Sequence, residues 1–540
     1  LMLTADVAYN GNKVKIFQQR GEPVMTQGVL PFRYECERTG SGMTALAGLL
    51  PYVELAAVSG LSDSIRRHLR VCADHEQGWT DAQIVIPLVL LNVAGGNSVD
   101  DLQKFEGDEG FAKVLRRVEM HGLRRRERRE LERRWRKERK RAVPSQSVVF
   151  RYLGAFDNPA EGVKRVVRHA LIPAPNEHLQ ALVRVNEDFL RFAQQKSPQS
   201  EATLEEDASL VETFKQVALF CYQGYKAYQP LTIRWAEQDL VVISEFRDGN
   251  VPASYENLRV FQQALALLPA GVVKVYLRGD TATYQRDILS YCAKGKNERF
   301  GVIEFAIGVD VTPEFKRAVA EVAEGEWHQL EREVDGQKKP TGQEWAEVCF
   351  VPNWTAQHKD GPTYRFLAIR ELLQQAEFPG LEAQLPFPSM IFGERRYKLF
   401  GLVTNRDLAG DKLIWWHRAR CGKGEEIHKV MKEDMAGGHL PSCRFGANAA
   451  WWGIMVLAFN LNSLMKRLVL PQEWAPKRLK AIRFGFINLA GRVMSRARQL
   501  IIRLSGGHPA YELLMEVRQR LRYLWSIHES VPWLSDRLDA

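Results

Sequence analysis

Residues 274–292, KVYLRGDTATYQRDILSYC, run from an apolar β-type stretch through an acid into a helical pattern. Val272–Arg278 reads as a strand, Asp280 follows at once, and a helix is predicted through Tyr291. Upstream, Leu231–Trp235 and Leu240–Phe246 are short β-type runs with a turn between them. Tyr255–Leu268 has helical spacing and ends at Pro269 and Gly271. Downstream, FGVIEFAIGVDV from Phe300 opens a β-rich stretch that continues to about Phe392. Tyr397–Thr404 then reads as a strand and Gly424–Glu433 as a helix. This order predicts an α/β layer interrupted by a β-rich insertion.

The 540 residues exceed one ordinary core and predict roughly three or four domains. With 45% hydrophobic and 26% charged residues, wholesale disorder and a small disulfide scaffold are excluded. Cys36, Cys72, Cys221, Cys292, Cys349, Cys421 and Cys443 lie far apart, are odd in number and form no C-x-x-C, so reduced thiols in a cytosolic protein are expected. The start carries no signal-peptide pattern. Ala447–Leu464 is apolar, but Asn448, Asn460 and Asn462 interrupt it, which predicts a buried core helix and no membrane span.

The excess of 75 Lys+Arg over 65 Asp+Glu is concentrated in two blocks. Arg124–Arg141, RRRERRELERRWRKERKR, holds twelve basic residues against four glutamates and contains no Gly or Pro, which predicts a helix. Too many of its bases lack an acid three or four positions away for a salt-bridged helix alone, so a phosphate backbone is the expected partner. From Lys466 to Ala540, fourteen Lys+Arg face six Asp+Glu. There Arg492, Arg496, Arg498 and Arg503 fall at helical intervals beside Leu500, Ile501 and Ile502, the pattern of an amphipathic helix. Near the other end, a helix capped by Thr80 or Asp81 runs to about Asn92, and Ala94-Gly95-Gly96 breaks it. Ser98 can cap a second helix, so this is either a helix-turn-helix or a plain packed pair.

No G-x-x-x-x-G-K-[ST], no H-E-x-x-H and no G-x-S-x-G is present, and Gly40-Ser41-Gly42 follows no strand. No nucleotide cofactor is expected. Three carboxylates at the ends of α/β elements remain: Asp207 in ATLEEDASLVET, Asp280 in KVYLRGDTATYQ and Glu425 in RCGKGEEIHKVMKED. Hard divalent cations take oxygen ligands, and two such ions can serve an in-line displacement at phosphorus.

From Asp207 to Leu470 the chain resembles DDE-type bacterial insertion-sequence transposases with an RNase H-like core, and more narrowly the insertion-sequence family numbered thirteen-eighty. The resemblance rests on AYQPLTIRWAEQ, SEFRDGNVPASYENLRV, VYLRGDTATYQRDILSYC, KNERFGVIEFAIGVDVT, WHRARCGKGEEIHKVMKEDMAGGHLPS and FGANAAWW. Upstream, LLNVAGGNSVDDL and VPSQSVVFRYLGAF extend it. It implies that Asp207, Asp280 and Glu425 are the catalytic, metal-binding acids. Glu425 and Lys432 reproduce the E-x6-K half of the family's helical signature, Glu426 is the rival third ligand, and Glu205 is the fallback for the first. Arg420 corresponds to the signature arginine, although one residue further from Glu425 than the wider pattern expects, and His417 or Trp416 stands near the aromatic position. Glu205-Glu206 and Gly279 depart from the usual residues around the first and second acids.

The resemblance further implies two Mg²⁺ ions, for which Mn²⁺ substitutes, and double-stranded DNA as substrate, both the terminal inverted repeats and the target. A homodimer on DNA and a bacterial, cytoplasmic, nucleoid-associated location are also implied. Water would attack at the element ends, and the freed 3′-hydroxyls would attack target DNA. Arg420, Lys429 and Lys432, with Arg124, Arg125, Arg126, Arg133 and Arg134 of the basic block, are the expected DNA contacts.

The expected architecture is an α/β RNase H-like core with a β-rich insertion, a helical DNA-binding region before it and a basic helical segment after it. Its parts are a DNA-binding region (1–120), a basic helix and linker (121–147), a first core part (148–292), the insertion (293–395), a second core part (396–470) and the C-terminal segment (471–540). Trp345, Phe350 and Trp354 of the insertion are either buried packing or a stacking platform for a flipped base. The competing functions are a catalytically inactive DNA-binding relative acting as repressor or scaffold, and a stand-alone nuclease.

Overall fold

The computed structural model describes residues 40–529 apart from 73–76, 136, 167–168, 357–363, 374–386 and 498, together with a small strand pair at 9–10 and 13–14. Cys36 therefore lies outside the described residues, as does Arg498.

After a two-residue strand, β1 (Met43–Thr44), the first third is helical: α1 (Leu50–Val58), α2 (Leu61–His68), α3 (Asp81–Ala94), α4 (Leu102–Gly107), α5 (Glu109–Glu119), α6 (Arg125–Arg133), α7 (Gln146–Gly154) and α8 (Glu177–Lys196). Thr80 caps α3 through a reciprocal bond with Gln83, and Gly95 closes it in the left-handed conformation, as the sequence predicts. The chain then bends by 97° into the segment Val99–Gly107. The pair is built as core, because α3 is buried almost throughout and Leu102 and Phe105 of α4 are buried too. Asn92 accepts the Ala436 N–H, and Arg483 donates to the carbonyls of Asn92 and Val93. Among the described residues no single helix is long and apolar enough to cross a membrane, although this bent pair passes jointly on length and composition.

The basic block departs from expectation. Its helix ends at Arg133 rather than Arg141, because Trp135 packs edge-on against Trp79 and Arg139 stacks over both rings while pairing with Glu119. Arg134 donates from Nε to the Gly78 carbonyl at 3.0 Å, so it serves the fold and is withdrawn from the expected phosphate contacts. Arg124, Arg125, Arg126 and Arg133 stay exposed.

Among the described residues the core is one mixed sheet of ten strands. Its strands are β2 (Glu201–Ala208), β6 (Leu231–Trp235), β7 (Leu240–Glu245), β8 (Lys274–Gly279), β9 (Glu304–Val309), β10 (His328–Val334), β11 (Gln337–Val348), β12 (Arg365–Leu372), β13 (Ser389–Phe392) and β14 (Arg395–Thr404). Three short strands, β3 (Val211–Glu212), β4 (Leu219–Phe220) and β5 (Lys226–Tyr228), form a separate small sheet between β2 and β6. The spatial order is β10-β11-β12-β14-β9-β8-β2-β6-β7, with β13 on β14. β2, β6 and β7 form an antiparallel meander, whereas β8 runs parallel to β2 and β9 parallel to β8. Helices α9 (Asn257–Leu267) and α10 (Arg286–Ala293) make the two crossovers that parallel neighbours require. Counting from β2, the first five core strands stand in the order third, second, first, fourth, fifth, the layout expected of an RNase H-like core.

Two expectations about the insertion change. Glu304–Val309 belongs to this five-strand core, so the core extends past residue 292. The later strands continue the same sheet through β14, which pairs antiparallel with β9. The connection from β9 to β10 carries α11 (Pro313–Ala320). Phe350 packs against Phe315 and Phe366, Trp354 against Tyr284 and Tyr364, and Trp345 against His328, so all three aromatics are packing residues.

After the sheet come α12 (Gly410–Arg418), α13 (Lys423–Lys429) and the core helix α14 (Phe445–Leu464). The three asparagines that interrupt the apolar run of α14 are satisfied internally. Asn460 accepts from the Val241 N–H, Asn462 accepts from the Tyr52 hydroxyl, and Asn448 accepts from the Ser442 N–H. The C-terminal block is not helical where its arginines cluster. Arg492, Arg496 and Arg503 lie on a hairpin of β15 (Gly491–Arg496) and β16 (Gln499–Arg503), and a helix, α15 (Ala510–Glu529), follows.

Candidate active site

Parallel strands β2 and β8 pair with Gly279 beside Glu206, so the next step along each places Asp280 beside Asp207 at the carboxyl ends of both strands. Neighbouring strands lie about 4.8 Å apart, so two carboxylates meet here without any contribution from loop geometry. Asp280 caps the turn Thr281–Thr283, accepting from the Ala282 N–H at 2.9 Å. Burial, and then the neighbouring charge of Asp207, push its pKa above the usual carboxylate range against the opposing pull of Arg420. Burial disfavours ionisation of Asp207 as well. The hydrogen bond and charge of His428, with Arg420, outweigh it and hold the Asp207 carboxyl below its ordinary value. The Arg420 charge thus acts on both acids.

α13 crosses this strand edge. His428 Nε2 lies 3.2 Å from Asp207 Oδ2, and a side chain added at Gly424 would begin 3.5 Å from the same oxygen. Gly424 and His428 therefore define the helix face turned to the acids. At 100° per residue, Glu425 flanks that face whereas Glu426 points to the opposite side. Both glutamates are exposed. Among the described residues no hydrogen bond or ion pair joins Glu425 to either aspartate, and no three His, Cys, Asp or Glu side chains stand together at metal-binding distance. The structure thus brings Asp207, Asp280, Arg420 and His428 together and leaves Glu425 at their margin.

Beyond Lys429 the helix widens into a π-turn over Val430–Asp434. This turn separates the two expected lysines. Lys429 is exposed and 3.9 Å from Glu433, whereas half-buried Lys432 donates to the Leu210 carbonyl at 3.2 Å, just beyond Asp207. Burial lowers the Lys432 pKa despite the opposing charges of Glu433 and Asp207.

The departures around the acids have structural roles. Glu205 is buried on β2 between its register partners, Arg234 on β6 and Arg278 on β8. Arg234 Nε donates to Oε2 at 3.0 Å, and Arg278 Nη2 forms an ion pair with Oε1 at 2.6 Å. It is therefore engaged as a structural ion and withdrawn as an alternative first ligand. Glu206 faces the other side, accepting from Asn257 Nδ2 and Thr283 Oγ1, and burial pushes its pKa up to about 7. Gly279 is required by this packing, since a Cβ there would meet Thr283 at 2.5 Å. His417 Nε2 lies 2.9 Å from the Gly279 carbonyl, and burial lowers its pKa to about 4, so it is neutral at pH 7 and donates. Trp416 supports Arg278 and Arg406 through its ring face.

Sequence reasoning passed over His428 as a partner of Asp207; its three-residue spacing from Glu425 was the available signal. It also passed over the small sheet β3–β5, which begins four residues after Asp207. Phe214 is 95% exposed there, Tyr222 79% and Phe220 57%.

The aspartate pair suits a hard divalent cation, because two oxygen donors whose mutual repulsion raises one pKa would be relieved by a shared positive charge. Paired acids at the strand ends of this mixed sheet are the arrangement expected of a DDE transposase. The chain belongs to the transposase DDE domain group 1 family, whose model matches residues 32–526. Among solved structures it is similar to the piggyBac transposase synaptic complex with hairpin DNA, determined by cryo-EM. The identity is 10% and the TM-score 0.38, over 91% of this chain and 82% of that one. No curated protein matches the chain. DDE transposases act on DNA and generally use divalent metal ions.

Proposed function

We propose that the chain is the transposase of a bacterial insertion sequence resembling the family numbered thirteen-eighty. It would bind the terminal inverted repeats and catalyse DNA cleavage and strand transfer as a homodimer on DNA, in the cytoplasm at the nucleoid. The observation that carries this reading is the meeting of Asp207 and Asp280 at the ends of adjacent parallel strands, with Arg420 beside both.

Asp207 and Asp280, with Glu425 from the flanking helix, would hold two Mg²⁺ or Mn²⁺ ions. When bound, such ions activate the attacking oxygen and stabilise the leaving oxygen at phosphorus. The chain's own residues do the rest. Arg420 neutralises phosphate charge next to the acids, and His428 holds the Asp207 carboxylate in place until that carboxylate takes up its ligand role. Glu205, clamped by two arginines, fixes the strand that carries Asp207, and His417 anchors the strand end before Asp280. Lys429, Arg124, Arg125, Arg126 and Arg133 remain available for backbone contacts, and Lys432 ties the helix to the strand carrying Asp207. Positioning and charge neutralisation are the main protein contributions to phosphoryl transfer.

A DNA-binding relative without catalysis is the second reading, favoured by the marginal position of Glu425. Incubating the protein with duplexes ending in the inverted repeats that flank its gene, with and without Mn²⁺, tests both. Metal-dependent nicking at the repeat end supports the transposase, and repeat binding without nicking supports the alternative.

A further inference from the structure

Successive residues of β2 point to opposite faces of the sheet, so Glu205 and Asp207 share one face and Glu206 takes the other. By register Glu206 stands beside Gly279 of β8 and, on its other flank, Ile233 of β6. Its side chain is 1% exposed, and its two hydrogen-bond partners are neutral. Asn257 Nδ2 and Thr283 Oγ1 both donate to Oε1, the latter at 3.2 Å. The Arg247 guanidinium backs Asn257, with Nη1 at 3.5 Å from its Oδ1 and donating to the Tyr255 carbonyl at 2.8 Å. Burying a carboxyl against neutral donors is costly, and an apolar side chain would fill the same place in a core. The acid is accounted for by what it holds.

What it holds is the turn after the second catalytic strand. Thr283 is fully buried and ends the turn that Asp280 opens. The Thr283 N–H donates to the Asp280 carbonyl at 3.2 Å, and the Thr283 carbonyl accepts from the Gln285 N–H at 2.8 Å. Between them, the Ala282 N–H donates to Asp280 Oδ1 at 2.9 Å. The turn thus carries the chain across the sheet edge. Asp280 stands beside Asp207 on one face, and Thr283 rests against Gly279 and Glu206 on the other. The Asp280 carboxylate is tied to the turn, and the turn is tied to Glu206. Asn257, the first residue of α9, fixes the same Glu206 oxygen from the crossover that leads into β8.

We propose that Glu206 is a positioning residue for the reaction: through the Thr283 hydroxyl it fixes the turn that aims the Asp280 carboxylate at Asp207. It acts from the far face of the sheet and touches neither DNA nor metal. Oε1 accepts with or without a proton on Oε2, so the anchor holds in either state. Hydrogen-bonded supports behind ligating carboxylates set their orientation, and losing one costs about ten- to hundred-fold in metal affinity. The inference rests on the reading of Asp207 and Asp280 as a pair that holds a divalent cation.

The test is Mn²⁺ binding to the full-length protein, read by electron paramagnetic resonance of the free ion, beside the unfolding temperature in EDTA. Thr283→Val exchanges the hydroxyl for a methyl group, and Thr283→Ser keeps the hydroxyl. Thr283→Val should weaken Mn²⁺ binding about ten- to hundred-fold and raise the Mn²⁺ midpoint for cleavage of inverted-repeat duplexes by the same factor. Thr283→Ser should bind Mn²⁺ as wild type does. Glu206→Gln retains the accepting oxygen and should also match wild type, whereas Glu206→Leu should bind as weakly as Thr283→Val. Should Glu206→Leu fail to fold, the Thr283 pair alone decides. A lowered unfolding temperature with wild-type Mn²⁺ affinity in Thr283→Val marks a contact that serves only the fold and overturns the inference. Equal losses in Thr283→Val and Thr283→Ser assign the effect to packing rather than to the hydroxyl and overturn it too. Asp280→Asn separates the two levels of the argument. If it binds Mn²⁺ as wild type does, the cation-pair reading fails and the inference with it; if it loses the ion while Thr283→Val keeps it, the inference fails alone.

Discussion

Replacing Glu205 with glutamine separates a structural ion from a metal ligand. The Glu205 carboxylate lies between Arg234 and Arg278, and all three side chains are 6–7% exposed. Arg234 retains a second acid, Asp239, at 2.7 Å, and Arg278 retains the Trp416 carbonyl, also at 2.7 Å, and the more distant charge of Glu237. Glu205→Gln therefore leaves one buried guanidinium without its ion-pair partner and another with one of its two acids. Removing one partner of a buried pair costs about 3–5 kcal/mol. With an unfolding entropy of about 2.1 cal/mol/K per residue, a cooperative unit of roughly 250 residues would lose about 8 °C in Tm, and the whole chain melting at once about 4 °C. Differential scanning calorimetry of wild type and Glu205→Gln reads this directly, and Asp207→Asn, which leaves the clamp intact, serves as the contrast. A shift below about 1 °C together with lost DNA cleavage would refute the reasoning, because Glu205 would then act at the metals.

Acid should weaken the fold through His417. Its folded pKa near 4 lies below the ordinary 6.5, so between those values the unfolded chain binds a proton that the folded chain refuses. Its contribution is complete above pH 6.5 and is lost as pH falls toward 4, by up to about 3 kcal/mol; urea midpoints across this window should flatten in His417→Asn, and parallel profiles would contradict the assignment. Neutralising Arg124, Arg125, Arg126 and Arg133 together should weaken binding to all duplexes and lower the salt slope by up to about four, without changing Tm. Arg134→Ala should instead lower Tm, since its guanidinium caps the Gly78 carbonyl; the reverse pattern in gel shifts and melts would exchange the two roles. Phe214→Ala with Tyr222→Ala removes two largely exposed rings of the small sheet that follows Asp207 in the chain and should leave Tm unchanged while weakening retention of DNA ends; full retention in a filter-binding assay would exclude the small sheet from DNA contact.

Much of the site was legible because its elements are local. Val272–Arg278 is strand-like in composition, and the observed strand is Lys274–Gly279, with Asp280 capping the turn that follows. The parallel register that sets Asp280 beside Asp207 spans more than seventy residues and has no local signature. The same holds for Glu304–Val309, which reads as part of an insertion until its pairing with β8 is seen. The C-terminal arginines misled for a definite reason. A four-residue spacing, as between Arg492 and Arg496, returns to the same face in a helix and in a strand alike. The alternation of exposed Arg492 with buried Val493 was the signal that distinguishes the two. The basic helix stops early because Trp135 meets Trp79, a contact between residues 56 positions apart that no propensity scale contains.

The most direct measurement is Mn²⁺-dependent cleavage of duplexes carrying the inverted repeats, compared across wild type, Asp207→Asn, Asp280→Asn and Glu425→Gln at matched DNA occupancy. Two aspartates meeting at one strand edge, with Glu425 proposed as their third partner, predict that each variant binds DNA as wild type does and cleaves at least about a hundred-fold more slowly. Cleavage by Asp207→Asn or Asp280→Asn at the wild-type rate would contradict the central claim.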